Sequence, residues 1–311
     1  MKTITSANAR VITARAIHAR VILVMLTLFA WLIPVQANAQ ALPREIRQKI
    51  LKAVVQVYPL KDDGEPVGWS GSGTIISESG YILTNFHVVG DTETRQIYKN
   101  HAILFTEFPD QPPVYKNIAQ IVATDPTYDL AVIKINLDNK GNKIPSSTRF
   151  TAMPVGNSND LIPGDAITMV GYPGISGSTI TFTQGLMSGW LGEDFESGGK
   201  NWIKTDGKIS HGNSGGAAFN ERGELIGVPT AGRTQVNGVE REEQAYVRPI
   251  GLAWSTLGPN VPDIVRAPNG GGGGSSDTGG NTGGGGNTGG NSGGNSGGNR
   301  SEEHTSELQS R

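Results

Sequence analysis

The chain of 311 residues contains no cysteine, and that one absence removes several chemistries. Disulfides, thiolate metal sites and a thiol nucleophile are all excluded. Charge is sparse, at 17% of residues with a net of -2, so the chain has no overall basic excess to draw it to a phosphate backbone. No nucleic-acid partner is expected. Histidines number five, which leaves few places for imidazole chemistry. Long apolar runs are also missing, except for VILVMLTLFAWLIPV from Val21 to Val35. As a helix those 15 residues would reach about 22 Å, short of the roughly 30 Å of bilayer hydrocarbon.

What surrounds that run explains it. Lys2, Arg10, Arg15 and Arg20 precede it without an acid, and Ala37-Asn38-Ala39 follows. The order of basic, apolar and small residues is that of a secretory leader, with cleavage expected after Ala39. Residues 1–39 are therefore read as a signal peptide, and the mature chain as exported, periplasmic or extracellular, with no stable membrane span. Losing the four basic side chains leaves a net charge of about -6. An exported domain without cross-links must be held by packing, so a large core is required.

From Leu42 to Val57 the text LPREIRQKILKAVVQV sets Ile46, Ile50, Leu51, Val54 and Val55 at helical spacings and then turns β-branched. This predicts a short lead-in helix followed by a strand. Thereafter come short apolar runs cut by glycine, proline and asparagine: GTIIS, GYILTN, HAILF, NIAQIVAT, LAVIKI, AITMVGYP, STITF, LMSGW, WIKT, GAAF and ELIGV. Their length, β-branched content and turn signals predict an all-β sandwich or barrel. No helical pattern alternates with them, which argues against a parallel βαβ sheet.

Residues 40–268 are taken as this single domain. From Asn269 to Asn299, 17 of 31 residues are glycine and the rest are Asn, Ser, Thr and one Asp. Such a tract has nothing to bury and reads as a flexible linker. Residues 300–311, RSEEHTSELQSR, resemble the conceptual translation of a short-read sequencing adapter. They form no part of the expected folded domain, and an unseen module or anchor beyond the linker is expected.

The stretch His211-Gly212-Asn213-Ser214-Gly215-Gly216 fits two nucleophile motifs, the G-x-S-x-G elbow of α/β-hydrolases and the G-x-S-G-G turn of trypsin-like proteases. Chain order separates them. An α/β-hydrolase needs its histidine after the serine, and only His304, in that adapter-like tail, follows Ser214. A subtilisin order needs an aspartate before the histidine. Asp62 and Asp63 do precede His87, but within the loop-like KDDGEP.

The order His, Asp, Ser remains. His18 leaves with the leader, and His87 ends the β-rich run GYILTNFHVVG, where a strand terminus could present an imidazole from a rigid base. A carboxylate must hold Nδ1 so that Nε2 can take the serine proton. Asp129 opens DLAVIKI, whose apolar side chains would carry it inward, whereas Asp125 in TDPTYD precedes proline and reads as a turn former. Backbone N–H groups of Gly212 and Ser214 are the candidate oxyanion donors, because glycine keeps that space clear of side chains.

Together TNFHVVG, DLAVIKI and HGNSGGAAF, with GSGTIIS, ITFTQGLMSG, IKTDGKISHGNSGG and ERGELIGV, resemble the motifs of trypsin-like serine endopeptidases, nearest the bacterial HtrA/Deg branch. The similarity runs from about Val54 to Ile250. It implies two packed six-stranded antiparallel β-barrels with a short N-terminal helix and a catalytic cleft between them. His87 would be general base, Asp129 its orienting partner and Ser214 the nucleophile, with protein or peptide substrates and no metal or cofactor.

Departures from the family pattern carry information too. Asn213 stands where digestive relatives have aspartate, so activation by an ion pair to a new amino terminus is not expected. Ser210-His211 replaces the proline usual in HtrA-type sequences. The resemblance borders the substrate pocket with Lys208, His211, Val228, Pro229 and Thr230. Lys208 disfavours basic substrates by like charge. Pro229 replaces the histidine of glutamyl endopeptidases, which leaves small or medium apolar side chains. Two other readings stay open on the residues: a non-catalytic relative that binds peptides or envelope components, and an ester hydrolase using the same triad.

Overall fold

The computed structural model describes residues 41–173, 179–209, 212–230, 235–236, 239–240 and 245–268. The leader, the linker, the tail and His211 lie outside the described residues. Helix α1 spans Arg44–Ala53, with Glu45 in its first turn and Lys52 in its last, each placed to complement the helix dipole. It gives way at Val54, without an intervening turn, to strand β1 (Val54–Leu60).

Eleven strands follow in the two main sheets. They are β2 (Gly71–Ile75), β3 (Tyr81–Thr84), β4 (Asn100–Phe105), β5 (Val114–Asp125), β6 (Leu130–Asp138), β7 (Ala166–Gly171), β8 (Thr181–Leu191), β9 (Trp202–Thr205), β10 (Ala217–Phe219), β11 (Leu225–Thr230) and, after the separate antiparallel pair of β12 (Gln235–Val236) and β13 (Val239–Glu240), β14 (Ala245–Pro249). Helical turn α2 (Phe86–Val89) follows β3, and α3 (Ile250–Thr256) follows β14.

The sheets close into two antiparallel barrels of six strands, in the orders β1-β2-β3-β6-β5-β4 and β10-β11-β14-β9-β8-β7. The expected all-β double barrel with a short helix before it is the architecture found.

Successive strand residues face opposite sides of a sheet, and here both sides are buried over long stretches. Val55, Ile75, Ile82, Ile133 and Ile135 fill the first barrel. Ile167, Met169, Ile203, Ala218, Ile226 and Val247 fill the second. Their chain neighbours Val54, Ile76, Leu83, Val132, Val170 and Ala217 join one further cluster with Ile50 and Ala53 of α1 and Ile250 and Ala253 of α3. That third cluster is the seam between the barrels. Two buried faces explain why the strands read as apolar runs rather than as strict alternation.

Three details differ from the sequence reading. The runs near residues 180 and 188 form a single eleven-residue strand, β8, because a glycine in each half lets one strand bend along the barrel wall. Strand β14, AYVRP, was not anticipated. Its proline and arginine hide a strand whose hydrogen bonds to β9 and β11 complete the second barrel. His87 lies on the helical turn α2 rather than on a strand end.

Candidate active site

The two candidate residues from the first barrel meet directly. His87 Nδ1 lies 2.7 Å from Asp129 Oδ2, and the His87 backbone N–H donates to Asp129 Oδ1 at 2.9 Å. An ionised carboxylate can only accept, so Nδ1 is the donor here, and in the neutral ring that tautomer leaves the Nε2 lone pair free. One carboxylate thus fixes both the tautomer and the ring orientation of His87. The pair is not sealed from water: its side chains keep 32% and 21% of their exposure, so Asp129 is turned inward but only partly buried.

The two aspartates read from the sequence take different parts. Asp125 Oδ1 accepts from the backbone N–H of Thr127 and of Tyr128, at 3.0 and 3.1 Å, which makes it the turn former. Asp129 follows that turn with φ at +55°, in the left-handed region that aspartate tolerates better than most residues. It therefore precedes β6 rather than belonging to it.

Asn85, fully buried, holds this unusual peptide. Its Nδ2 donates to the Asp129 carbonyl at 2.7 Å and to Thr230 Oγ1 at 3.0 Å, so one amide ties the turn before His87 to Asp129 and to β11 of the other barrel. Asn85 was missed from the sequence. Only its place beside His87 in TNFH could have pointed to it.

Ser214 sits in the turn before β10 and is 5% exposed. Its carbonyl accepts from the Ser72 backbone N–H at 2.8 Å, and the N–H of Gly215 donates to the Pro229 carbonyl at 3.0 Å. Gly215 has φ of +80°, and a Cβ there would stand 2.2 Å from Thr84 Oγ1 and 3.1 Å from the backbone nitrogen of Asn85. The serine turn is thus pressed against the end of β3, the segment that leads into His87. Glycine is needed for both the dihedral and the approach.

The remaining predicted residues fall in different settings. Gly212 has φ of +98° and opens the turn. Asn213 is 2% exposed, and an uncharged amide suits a spot where an unpaired carboxylate would be costly. Val228, Pro229 and Thr230 are buried on β11. Lys208 is exposed, so water screens the charge invoked for it in substrate selection. Among the described residues no cluster of three metal-ligating side chains occurs, and no helix is long and apolar enough to cross a membrane.

Two closed six-stranded antiparallel barrels, with a histidine–aspartate pair on one and a glycine-framed serine turn on the other, are the architecture of trypsin-like peptidases. The chain belongs to that family: the trypsin-like peptidase domain matches residues 71–228. The serine endoprotease DegS of Salmonella typhimurium is 33% identical over 196 residues, which cover 62% of this chain and 48% of that protein. A probable periplasmic serine endoprotease, DegP-like, of Brucella suis is 35% identical over 162 residues, covering 52% of this chain and 27% of that one. The solved HtrA-type protease AlgW with a tripeptide is 31% identical, over 68% of this chain and 60% of that chain, with a TM-score of 0.49. The chain thus spans half or less of the length of these two curated relatives.

Proposed function

We propose that this chain is an exported serine endopeptidase that cleaves protein substrates through an acyl-enzyme. His87 acts as general base, Asp129 as its orienting partner and Ser214 as nucleophile. The observation that carries this is the double contact between His87 and Asp129, made on the segment against which the Ser214 turn is docked.

The chemistry follows from that arrangement. The Ser214 hydroxyl proton passes to His87 Nε2 as Oγ bonds to the scissile carbonyl carbon, and the Asp129 carboxylate stabilises the imidazolium that forms. Backbone N–H groups of Gly212 and Ser214 face the developing oxyanion. The imidazolium then protonates the leaving amine, and water repeats the sequence to free Ser214. Only side chains, backbone amides and water take part.

Export is supported by the leader pattern of residues 1–39. Small or medium apolar side chains are the proposed preference in the specificity pocket, supported by the apolar character of Val228 and Pro229. The tract 269–299 is proposed as a tether.

A fluorophosphonate probe tests the reading. The full chain should take one label, mapped by mass spectrometry to Ser214, and Ser214→Ala should take none. On casein, Ser214→Ala should lose about 10⁴- to 10⁶-fold in kcat. Protein that neither labels nor cuts casein belongs to the non-catalytic reading. Protein that turns over p-nitrophenyl esters but no peptide belongs to the ester-hydrolase one.

A further inference from the structure

The assignment of Ser214 leaves open what sets its distance from a base carried by the other barrel. We propose that Ser72, on β2, is a positioning residue that fastens the nucleophile turn to the barrel bearing His87; this rests on the peptidase reading above.

Ser72 is fully buried, and every polar atom it owns is used on this junction. Its backbone N–H donates to the Ser214 carbonyl at 2.8 Å. Its Oγ donates to the Gly212 carbonyl at 2.7 Å and accepts from the Tyr172 backbone N–H at 2.8 Å. Its own carbonyl accepts from Thr84 Oγ1 at 2.6 Å, three residues before His87.

A single residue therefore grips the peptide groups on both sides of Asn213 and Ser214, the strand end that leads to the base, and the end of β7. Holding the Gly212 and Ser214 carbonyls fixes the peptide planes on either side of the Asn213–Ser214 peptide, and so limits how the Ser214 N–H can turn. Gly212 is a glycine at φ +98°, the residue type least able to hold its own conformation. The constraint comes from outside the turn.

The surroundings are shaped for this grip. A Cβ on Gly71 would stand 3.1 Å from the Ser214 carbonyl oxygen, and one on Gly171 would stand 2.9 Å from Ser72 Oγ and 2.9 Å from Asn213 Cα. A Cβ on Gly216 would meet Ser72 Cβ at 3.3 Å. Glycines on three segments let the backbones close around one hydroxyl. A serine merely satisfied in a core would need a partner for its hydroxyl, but not these four partners on the two halves of one site.

Ser72→Ala removes the hydroxyl and keeps the backbone N–H. Displacement of the turn by a fraction of an ångström should lower kcat about 10- to 100-fold, with KM within about threefold. Titration with the fluorophosphonate should still find the full complement of active sites. Affinity for a peptide boronate, whose tetrahedral adduct uses the oxyanion donors, should fall in parallel with kcat/KM. The pH at which activity half-rises should not move, because His87 and Asp129 keep their contact.

An unchanged kcat overturns the proposal. So does a loss of activity fully accounted for by a smaller titrated fraction, since that is the mark of a role in stability alone. Should Ser72→Ala not accumulate as folded protein, Thr84→Val removes only the bond to the Ser72 carbonyl and should cost about 5- to 10-fold in kcat; unchanged turnover in that variant overturns the proposal equally. A wild-type chain that takes no label removes the peptidase reading first, and this inference with it.

Discussion

Asn85 Nδ2 donates to the carbonyl of Asp129 at 2.7 Å, and Asp129 is held there at φ +55° while its carboxylate faces His87. Asparagine adopts this backbone region as readily as aspartate, so Asp129→Asn should fold. It should nonetheless lose about 10⁴-fold in kcat, because an amide cannot hold the imidazole in the tautomer that leaves Nε2 free. Steady-state kinetics beside a thermal melt check this. A variant with wild-type melting and more than a tenth of wild-type kcat removes Asp129 from the mechanism.

Gly215→Ala tests the docking of the serine turn. Its Cβ would fall 2.2 Å from Thr84 Oγ1 and 2.3 Å from the Ser72 carbonyl oxygen, at a φ of +80°. Backbone strain alone costs about 1–3 kcal/mol, and the collisions add to it. Expected results are a clearly lower denaturant midpoint and no fluorophosphonate label. Normal labelling would show that the turn can move away from β3 without harm.

His101 gives a prediction that concerns stability alone. It is fully buried on β4, and burial pushes its imidazole from 6.5 down to about 4, against the pull of the Val89 and Ala119 backbones. Between those pH values the unfolded chain binds a proton that the folded chain refuses, so stability falls as pH drops from about 6.5 to about 4. His101→Leu should flatten the decline of the melting temperature across that window. Parallel curves for variant and wild type would mean that other groups set the acid limit.

The loop between β8 and β9 is fastened from beneath. Arg248, on β14, pairs with both carboxylate oxygens of Glu193 at 2.7 Å and lies 3.3 Å from the centre of the Trp202 ring. The arginine side chain is 4% exposed and the glutamate 42%, so Glu193→Ala leaves a buried cation whose lost partner was itself half in water. About 1–2 kcal/mol of destabilisation is expected, less than for a fully buried pair. Denaturant unfolding measures it, and an unchanged midpoint would show that Trp202 and the Asn201 carbonyl hold the guanidinium unaided.

How much of this could be read in the chain varies from residue to residue. His87, Asp129 and Ser214 stand in short motifs whose glycines and apolar neighbours have local reasons, and their order along the chain separates three nucleophile families. Asn85, Ser72 and Arg248 have no such signature. Their partners lie 44, 140 and 55 residues away, and no local pattern announces a contact of that span. Strand β14 was hidden for a related reason, since its arginine becomes tolerable inside only when Glu193 arrives from another loop.

The amino-acid order by itself determined the all-β class, the short entry helix, the turn glycines and the residue types at the site, because each follows from backbone sterics and from apolar spacing over a few residues. Only the tertiary structure decided that Asp129 takes a left-handed dihedral, that His87 rides on a helical turn, and that Ser72 clasps the serine turn from the opposite barrel. Those outcomes depend on closing two barrels against each other, and closure is a property of contacts across more than a hundred residues rather than of any short stretch.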